Sequence, residues 1–360
     1  MSAVGVRSEA GAIVPAARVP RLTLIGTGTV GAAFVSRWQR LAARGLVLPQ
    51  LALLANSRGA FSCEDDPHRA LQLATHADDA RRDPQNVRDA HLVQGDVVVD
   101  ATASEAVAAR HAEWVSHGVH VVTANKLGNG ADLLRAQAIV RATRAGTARY
   151  GDAATVGAGL PLLRSIRELV AGGDHIHAVE GVLSGSLAWL FDRYDGTRAF
   201  SGLVREARDA GYTEPDPRQD LSGEDVRRKL LILARAAGLA LEAHEVEVAS
   251  LVPASLASVG ADAVDANLGS LDAPLLRHFQ EAARAGAKLR FVGRFDAERA
   301  EVGLQALPAE HPLCLGSGTD NRVAIRSDRY RDQPLVIQGP GAGAEVTAAA
   351  LIDDVLRIAA

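Results

Sequence analysis

The chain has 360 residues, of which 48% are hydrophobic and 23% charged, with a formal net charge of −4. That composition excludes an intrinsically disordered chain and describes one large or two medium globular domains. The charges are well mixed with no basic tract, which argues against a nucleic-acid partner, and no eighteen consecutive apolar residues offer a membrane span.

The first twenty residues, with scattered glycine and two prolines, read as a disordered leader with no signal-peptide core. From Arg21 the pattern becomes regular. A short apolar strand, Leu22–Gly26, leads through a glycine turn to a helix over Val30–Ala43, and a second strand follows at Leu51–Asn56. Phe61–Arg88 is polar and aperiodic, a loop with room for one helix. Then come a strand at Val97–Thr102, a helix at Glu105–His117, a strand at His120–Thr123 and a helix at Ala131–Ala145. Alternation of this kind predicts a Rossmann-like, doubly wound parallel sheet over residues 21–150.

After Tyr150 the texture changes. The turn Thr155–Pro161 precedes a helix at Leu162–Val170, a strand at His175–Ser184, and helices at Leu187–Tyr194, Ser201–Ala210 and Glu224–Ala237. Further strands fall at Arg290–Phe295, Ala300–Leu307 and Arg322–Ser327. Residues 151–334 therefore read as a second, α+β domain, to which the family resemblance described below assigns substrate binding and dimerisation. The final strand, glycine turn and amphipathic helix over 335–360 look like the first domain, so the chain is expected to return there.

Gly26-Thr27-Gly28-Thr29-Val30-Gly31 matches G-x-G-x-x-G between a strand and a helix. Gly26 permits the tight turn, Gly28 lets the backbone approach a pyrophosphate, and Gly31 allows close packing of helix on strand. The helix N-terminus supplies amide donors. The second strand ends on Asn56 with Arg58 two residues later, where an NAD-strict enzyme carries an acid; this favours NADP while leaving NAD open. Thr102 and Ser104 follow one strand's carboxyl end and Lys126 follows the next, where open α/β sheets place their ligands.

Lysine is scarce: Lys126, Lys229 and Lys288 stand against 36 arginines. Arginine replaces lysine on most solvated surfaces but cannot give up a proton near neutral pH, so each lysine is a candidate for proton transfer. Lys229 closes a run containing Glu214, Asp216, Asp220, Glu224 and Asp225. Asp225 and Lys229 are four apart on a predicted helix and share a face. Such an excess of acids calls for a cation, and the α-ammonium of an amino-acid substrate would supply it, with Lys229 as general acid or base towards a hydroxyl or carbonyl. From the residues alone, the chain reads as a nicotinamide-dependent oxidoreductase acting on a small zwitterionic alcohol. No task follows for Lys288.

Taken together, GTGTVG, VVTANK, TVGAGLP, EGVLSGSLAWLF, GYTEPDPRQDLSGEDVRRKLLILAR and GPGAGAEVTAA resemble homoserine dehydrogenase, in family order from about residue 21 onward. The wording is closest to the dehydrogenase half of fused aspartokinase–homoserine dehydrogenases, with no room for a kinase ahead of it. The resemblance implies reversible reduction of L-aspartate 4-semialdehyde to L-homoserine by NAD(P)H, on the route to threonine, methionine and isoleucine. By the same resemblance Lys229 gives the proton to the aldehyde oxygen with Asp225 beside it, Glu214 holds homoserine and Asp220 supports. Lys126, Thr102 and Ser104 would line the nicotinamide side, with Gly211 and Gly343 touching the cofactor from other elements. The resemblance further implies a homodimer and a sodium site on the carbonyls of Val156, Ala158 and Leu160. Its acid falls at Ala153 here, so Asp152 is the candidate ligand.

Two other readings stay open. Aspartate-semialdehyde dehydrogenase shares the substrate but needs a nucleophilic cysteine. Cys63 lies in a polar loop and Cys314 in PLCLGSG, neither a nucleophile context, and their wide separation fits a reducing cytoplasm rather than a disulfide framework. A non-catalytic NADP-sensing relative would keep the fold, although the acid–lysine cluster is complete here.

Overall fold

The computed structural model describes residues 20–63, 66–77 and 92–359, so the expected leader lies outside them. The first domain is built from β1 (Arg21–Ile25), α1 (Thr29–Ala43), β2 (Gln50–Asn56), β3 (Gly59–Ser62), α2 (Pro67–His76), β4 (Val97–Asp100), α3 (Glu105–Ala108), α4 (His111–Ser116), β5 (His120–Thr123), α5 (Leu133–Ala145) and β6 (Tyr150–Gly151). The sheet order is β3-β2-β1-β4-β5-β6; every pairing is parallel except the β2–β3 hairpin. β4 is buried along its whole length, as a central parallel strand covered by helices on both faces must be. Strand order reverses between β1 and β4, and this switch point opens a crevice at their carboxyl ends.

The polar segment after Phe61 holds the end of β3 and α2, whose N-terminus is capped by Asp66 accepting from the His68 amide at 2.8 Å; residues 78–91 of it lie outside the described ones. The single helix expected over Glu105–His117 is broken into α3 and α4. Just beyond the break His111 is wholly buried.

The second domain contains α6 (Leu162–Ala171), β7 (Ile176–Val182), α7 (Gly185–Arg193), α8 (Phe200–Asp209), α9 (Arg218–Leu221), α10 (Glu224–Ala236), β8 (Val246–Val248), α11 (Ala254–Ala257), α12 (Val264–Asn267), α13 (Asp272–Arg284), β9 (Ala287–Phe295), β10 (Ala300–Pro308), β11 (Asp320–Ser327) and β12 (Leu335–Pro340). Its sheet runs β12-β11-β7-β9-β10-β8. Phe291 and Phe295 from the sheet pack with Val226, Leu230 and Leu233 of α10 in one core, which anchors the helix carrying Lys229.

The expected return of 335–360 to the first domain is divided. β12 pairs antiparallel with β11, Val323 opposite Ile337, because Leu335 and Ile337 pack against the second core. Only α14 (Ala344–Ala359) rejoins the first domain, where Ala348, Leu351 and Val355 share a core with Phe34 and Val35 of α1. The stretch between α10 and β9, which the sequence pattern leaves unassigned, supplies β8 and three helices. No helix among the described residues is long and apolar enough to cross a membrane.

Candidate active site

The glycine loop fits its motif for three separate reasons. Gly26 has φ +99°, and a Cβ there would meet the Ala101 carbonyl oxygen at 2.8 Å. A Cβ on Gly31 would lie 1.9 Å from the Gly26 carbonyl oxygen, so only glycine lets α1 start this close to β1. Gly28 is different: nothing lies within 4 Å of its Cβ position, so open space rather than protein adjoins it. That space belongs to a cleft of about 500 Å³ lined by Gly26, Gly28, Asn56, Arg58, Thr102 and Ser104, among others. Thr29, Val30 and Gly31 form the first turn of α1 beside it, with no acid in that turn to oppose a phosphate. The cleft thus suits a dinucleotide at the switch point of the sheet.

At the ribose position, the side chain of Asn56 is consumed internally. Its Nδ2 donates to Thr27 Oγ1 at 2.8 Å and to the Ala74 carbonyl at 2.9 Å, while its Oδ1 accepts from the Arg58 and Gly59 amides. Asn56 therefore shapes the loop that presents Arg58. The Arg58 guanidinium donates to the Thr75 carbonyl at 3.1 Å, on the wall of the same cleft.

A second cleft of about 780 Å³ adjoins the first; Thr102 and Ala103 line both. Lys126, Glu214, Asp220, Asp225 and Lys229, drawn from both domains, all face it. The five acids of the sequence run divide sharply. Asp216 pairs with Arg218 at 2.6 Å and Glu224 with Arg227 at 2.5 Å. Asp220 accepts from Ser186 Oγ at 2.7 Å and from the Glu214 amide at 2.9 Å, so it holds the Glu214 loop in place. Asp225 is flanked by Lys229 at 2.7 Å and Lys126 at 3.5 Å. Glu214 alone has a carboxylate that no described residue donates to or pairs with, and it is exposed to the cleft.

Lys229 is only 8% exposed. Its Nζ donates to Asp225 Oδ2 and, at 2.7 Å, to the Leu183 carbonyl oxygen. An ammonium has three N–H donors, which leaves one for the cleft. Burial pushes the Asp225 carboxyl upward, but the Lys229 and Lys126 ammonium groups override it and hold it well below the usual carboxylate range.

Other expected site residues fall elsewhere. Gly211, at φ +74°, closes α8 by donating to the Arg208 carbonyl and lines neither cleft. Gly343 immediately precedes α14, next to Ala342, which does line the second cleft. At Asp152, Arg167 grips both carboxylate oxygens at 2.6 and 2.8 Å, and Asn129 adds a third bond at 2.7 Å. Both carboxylate oxygens of Asp152 are thus engaged by described side chains. The Leu160 carbonyl accepts from the Leu162 amide at 2.8 Å, which leaves its second lone pair open.

Asp100, Asn125, Ser184 and Ser186 escaped the sequence reading. Asp100 had a signal, a carboxylate closing the otherwise apolar strand Val97–Asp100. Ser186 had none, because its partner Asp220 is 34 residues away.

The homoserine dehydrogenase NAD-binding domain model matches residues 26–150, and the homoserine dehydrogenase model matches residues 161–356. The bifunctional aspartokinase/homoserine dehydrogenase 2 of Zea mays is 45% identical over 76% of this chain, which spans only 30% of that protein's length. Homoserine dehydrogenase of Saccharomyces cerevisiae is 36% identical over 95% of this chain and 98% of its own. A crystal structure of a Candida auris protein of unknown function superposes with a TM-score of 0.82 at 33% identity, covering 94% of this chain and 98% of that one. With both family models in register and the yeast enzyme matched nearly end to end, the chain belongs to the homoserine dehydrogenase family.

Proposed function

We propose that the chain catalyses the reversible NAD(P)H-dependent reduction of L-aspartate 4-semialdehyde to L-homoserine, a step towards threonine, methionine and isoleucine. One observation carries the reading: Lys229, with one N–H unclaimed, faces a cleft continuous with the dinucleotide cleft through Thr102 and Ala103. A nicotinamide dinucleotide bound in the first cleft would supply the hydride for reduction and accept it in oxidation. Gly26, Gly28 and the first turn of α1 would hold its pyrophosphate, and Thr102, Ser104 and Lys126 its nicotinamide side.

The protein residues then divide the remaining work. Glu214 binds the substrate ammonium, since its carboxylate is the unpaired one. Lys229 gives a proton to the carbonyl oxygen as negative charge develops there, and its amine takes that proton back in the reverse direction. Asp225 and the Leu183 carbonyl fix Nζ in place. NADP is favoured over NAD because no acid stands at the end of β2 to repel a 2′-phosphate, and Arg58 lines that wall. A spectrophotometric assay with homoserine, run separately with NAD and NADP, tests both points; no reduction of either would overturn the reading.

Aspartate-semialdehyde dehydrogenase is disfavoured, since Cys63 and Cys314 are buried and line neither cleft. Both thiols are free, which suits a cytoplasmic enzyme. A homodimer is the assembly that the family resemblance implies for this chain. Light scattering of the purified protein reads that state directly.

A further inference from the structure

We infer that the buried series Tyr150–His111–Asp100 is a positioning device for the cofactor-side wall, fixing Thr102 and Asn125 and, through Asn125, the adjacent Lys126. The inference rests on the dehydrogenase reading above. Asp100 ends β4, on one side of the switch point, and is wholly buried. Its Oδ1 accepts from the Thr102 amide at 2.9 Å and the Thr102 hydroxyl at 2.7 Å. Its Oδ2 accepts from Asn125 Nδ2 at 2.9 Å and from His111 Nε2 at 3.0 Å. Thr102 lines both clefts and Asn125 the substrate cleft, whereas His111 touches neither.

Nothing about space-filling requires a histidine here, because an apolar side chain would fill the same volume. The imidazole serves as the fourth donor to a buried carboxylate, which is costly to leave short of partners. Its other nitrogen, Nδ1, lies 2.9 Å from the Tyr150 hydroxyl. Burial, with Asp152 and Asp100 nearby, pushes the Tyr150 phenol well above its ordinary range, so it keeps its proton. An ionised Asp100 only accepts, which calls for an imidazole proton on Nε2 aimed at it.

The loop carrying Lys126 rests on this series. Asn125 bridges two strand ends, donating also to the Ser104 carbonyl at 2.9 Å and accepting from the Leu127 amide at 3.1 Å. Two residues past Lys126, a Cβ on Gly128 would lie 2.4 Å from the Tyr150 hydroxyl and 3.0 Å from His111 Nδ1. The loop therefore sits directly against the His111–Tyr150 contact while its lysine faces the cleft.

The test compares His111→Gln, which keeps an N–H donor near the Nε2 position, with His111→Leu, which fills the volume without one. Homoserine oxidation is followed at saturating NADP, and NADPH affinity is read separately by nucleotide fluorescence. The glutamine variant should keep kcat within about threefold, and the leucine variant should lose roughly tenfold to a hundredfold, the scale of a slightly misplaced reacting group. NADPH affinity should weaken severalfold in the leucine variant alone, with the homoserine KM within about twofold in both. Equal kcat in the two variants, or a loss carried by the homoserine KM, overturns the inference. If His111→Leu does not fold, Tyr150→Phe carries the test: a fall in kcat of about threefold or more at unchanged homoserine KM supports it, and unchanged kcat overturns it. Wild-type protein that leaves homoserine unoxidised would sink the dehydrogenase reading instead, and the nucleotide affinities would still decide the role of His111.

Discussion

Lys229 Nζ lies 2.7 Å from Asp225 Oδ2, one helical turn apart on α10, and the pair faces the cleft from the second domain. The Leu183 carbonyl takes a second Nζ proton, so the lysine is held at two points. Lys229→Arg keeps the positive charge but places a group there that cannot exchange a proton near neutral pH. Both Lys229→Arg and Lys229→Ala should lower kcat by about a thousandfold or more while NADPH binding survives, the signature of an interaction made in the transition state. Near-normal turnover in the arginine variant would end the proton-transfer role.

Glu214 and Asp225 should separate kinetically, because their charges are spent differently. No described residue donates to the Glu214 carboxylate, so Glu214→Gln removes a substrate contact and should raise the homoserine KM roughly tenfold to a hundredfold, with a smaller change in kcat. Asp225→Asn leaves Lys229 and Lys126 without their shared counter-charge and should depress kcat instead. Steady-state kinetics on the two variants decide this, and a KM effect confined to Asp225→Asn would reverse the assignment.

That division could not be read in the sequence, which shows five acids in one run and no means of ranking them. Three of them are spent on Arg218, Arg227 and the Ser186–Glu214 contacts, and the last of these depends on the fold bringing α7 against α9. The glycine loop was legible because each glycine answers to a local steric demand that the motif encodes. β12 was misplaced for the opposite reason: its pairing with β11 is a matter of register across a turn, and a strand next to a glycine turn looks alike in either domain. The Arg167–Asp152 pair was not legible either, because it depends on the packing of α6 against the end of β6.

Arg58 borders the ribose end of the first cleft on a loop braced by Asn56. Arg58→Ala should raise the KM for NADP about tenfold and leave that for NAD within about twofold, the loss of one charge-assisted contact to a 2′-phosphate. Parallel titrations of the two cofactors read the ratio directly. Equal losses with both would mean that Arg58 serves the loop rather than the phosphate.

Burial pushes the Cys63 thiol up to about 11, overriding the lowering effect of a backbone hydrogen bond. A raised thiol pKa means that the reactive thiolate is the minor form below that value. At pH 8 about one thiol in a thousand is ionised. Burial raises Cys314 as well. Iodoacetamide at pH 8 should therefore label neither cysteine quickly in the folded protein, and homoserine oxidation should persist throughout the incubation. Rapid inactivation, protected by aspartate semialdehyde, would revive a cysteine-based mechanism.

Asp152, just past β6, is paired with Arg167 of α6, and its carboxyl is wholly buried while nearly half of the Arg167 side chain meets solvent. Burial alone would raise the Asp152 pKa, but the Arg167 guanidinium and the Asn129 amide outweigh it and hold it below the ordinary range. A carboxyl depressed in the folded state contributes stability that is complete above its unfolded pKa, near 3.9, and is lost as pH falls through the folded value. Asp152→Asn should thus destabilise the protein at pH 7 by about 1–3 kcal/mol, less than breaking a fully buried pair because Arg167 regains some hydration. Below about pH 4 the gap between variant and wild type should shrink, since wild type surrenders the same interaction by protonation. Denaturant unfolding at pH 7 and pH 3 measures both quantities, and a gap that widened with acid would mean that Arg167 is not what holds Asp152 ionised.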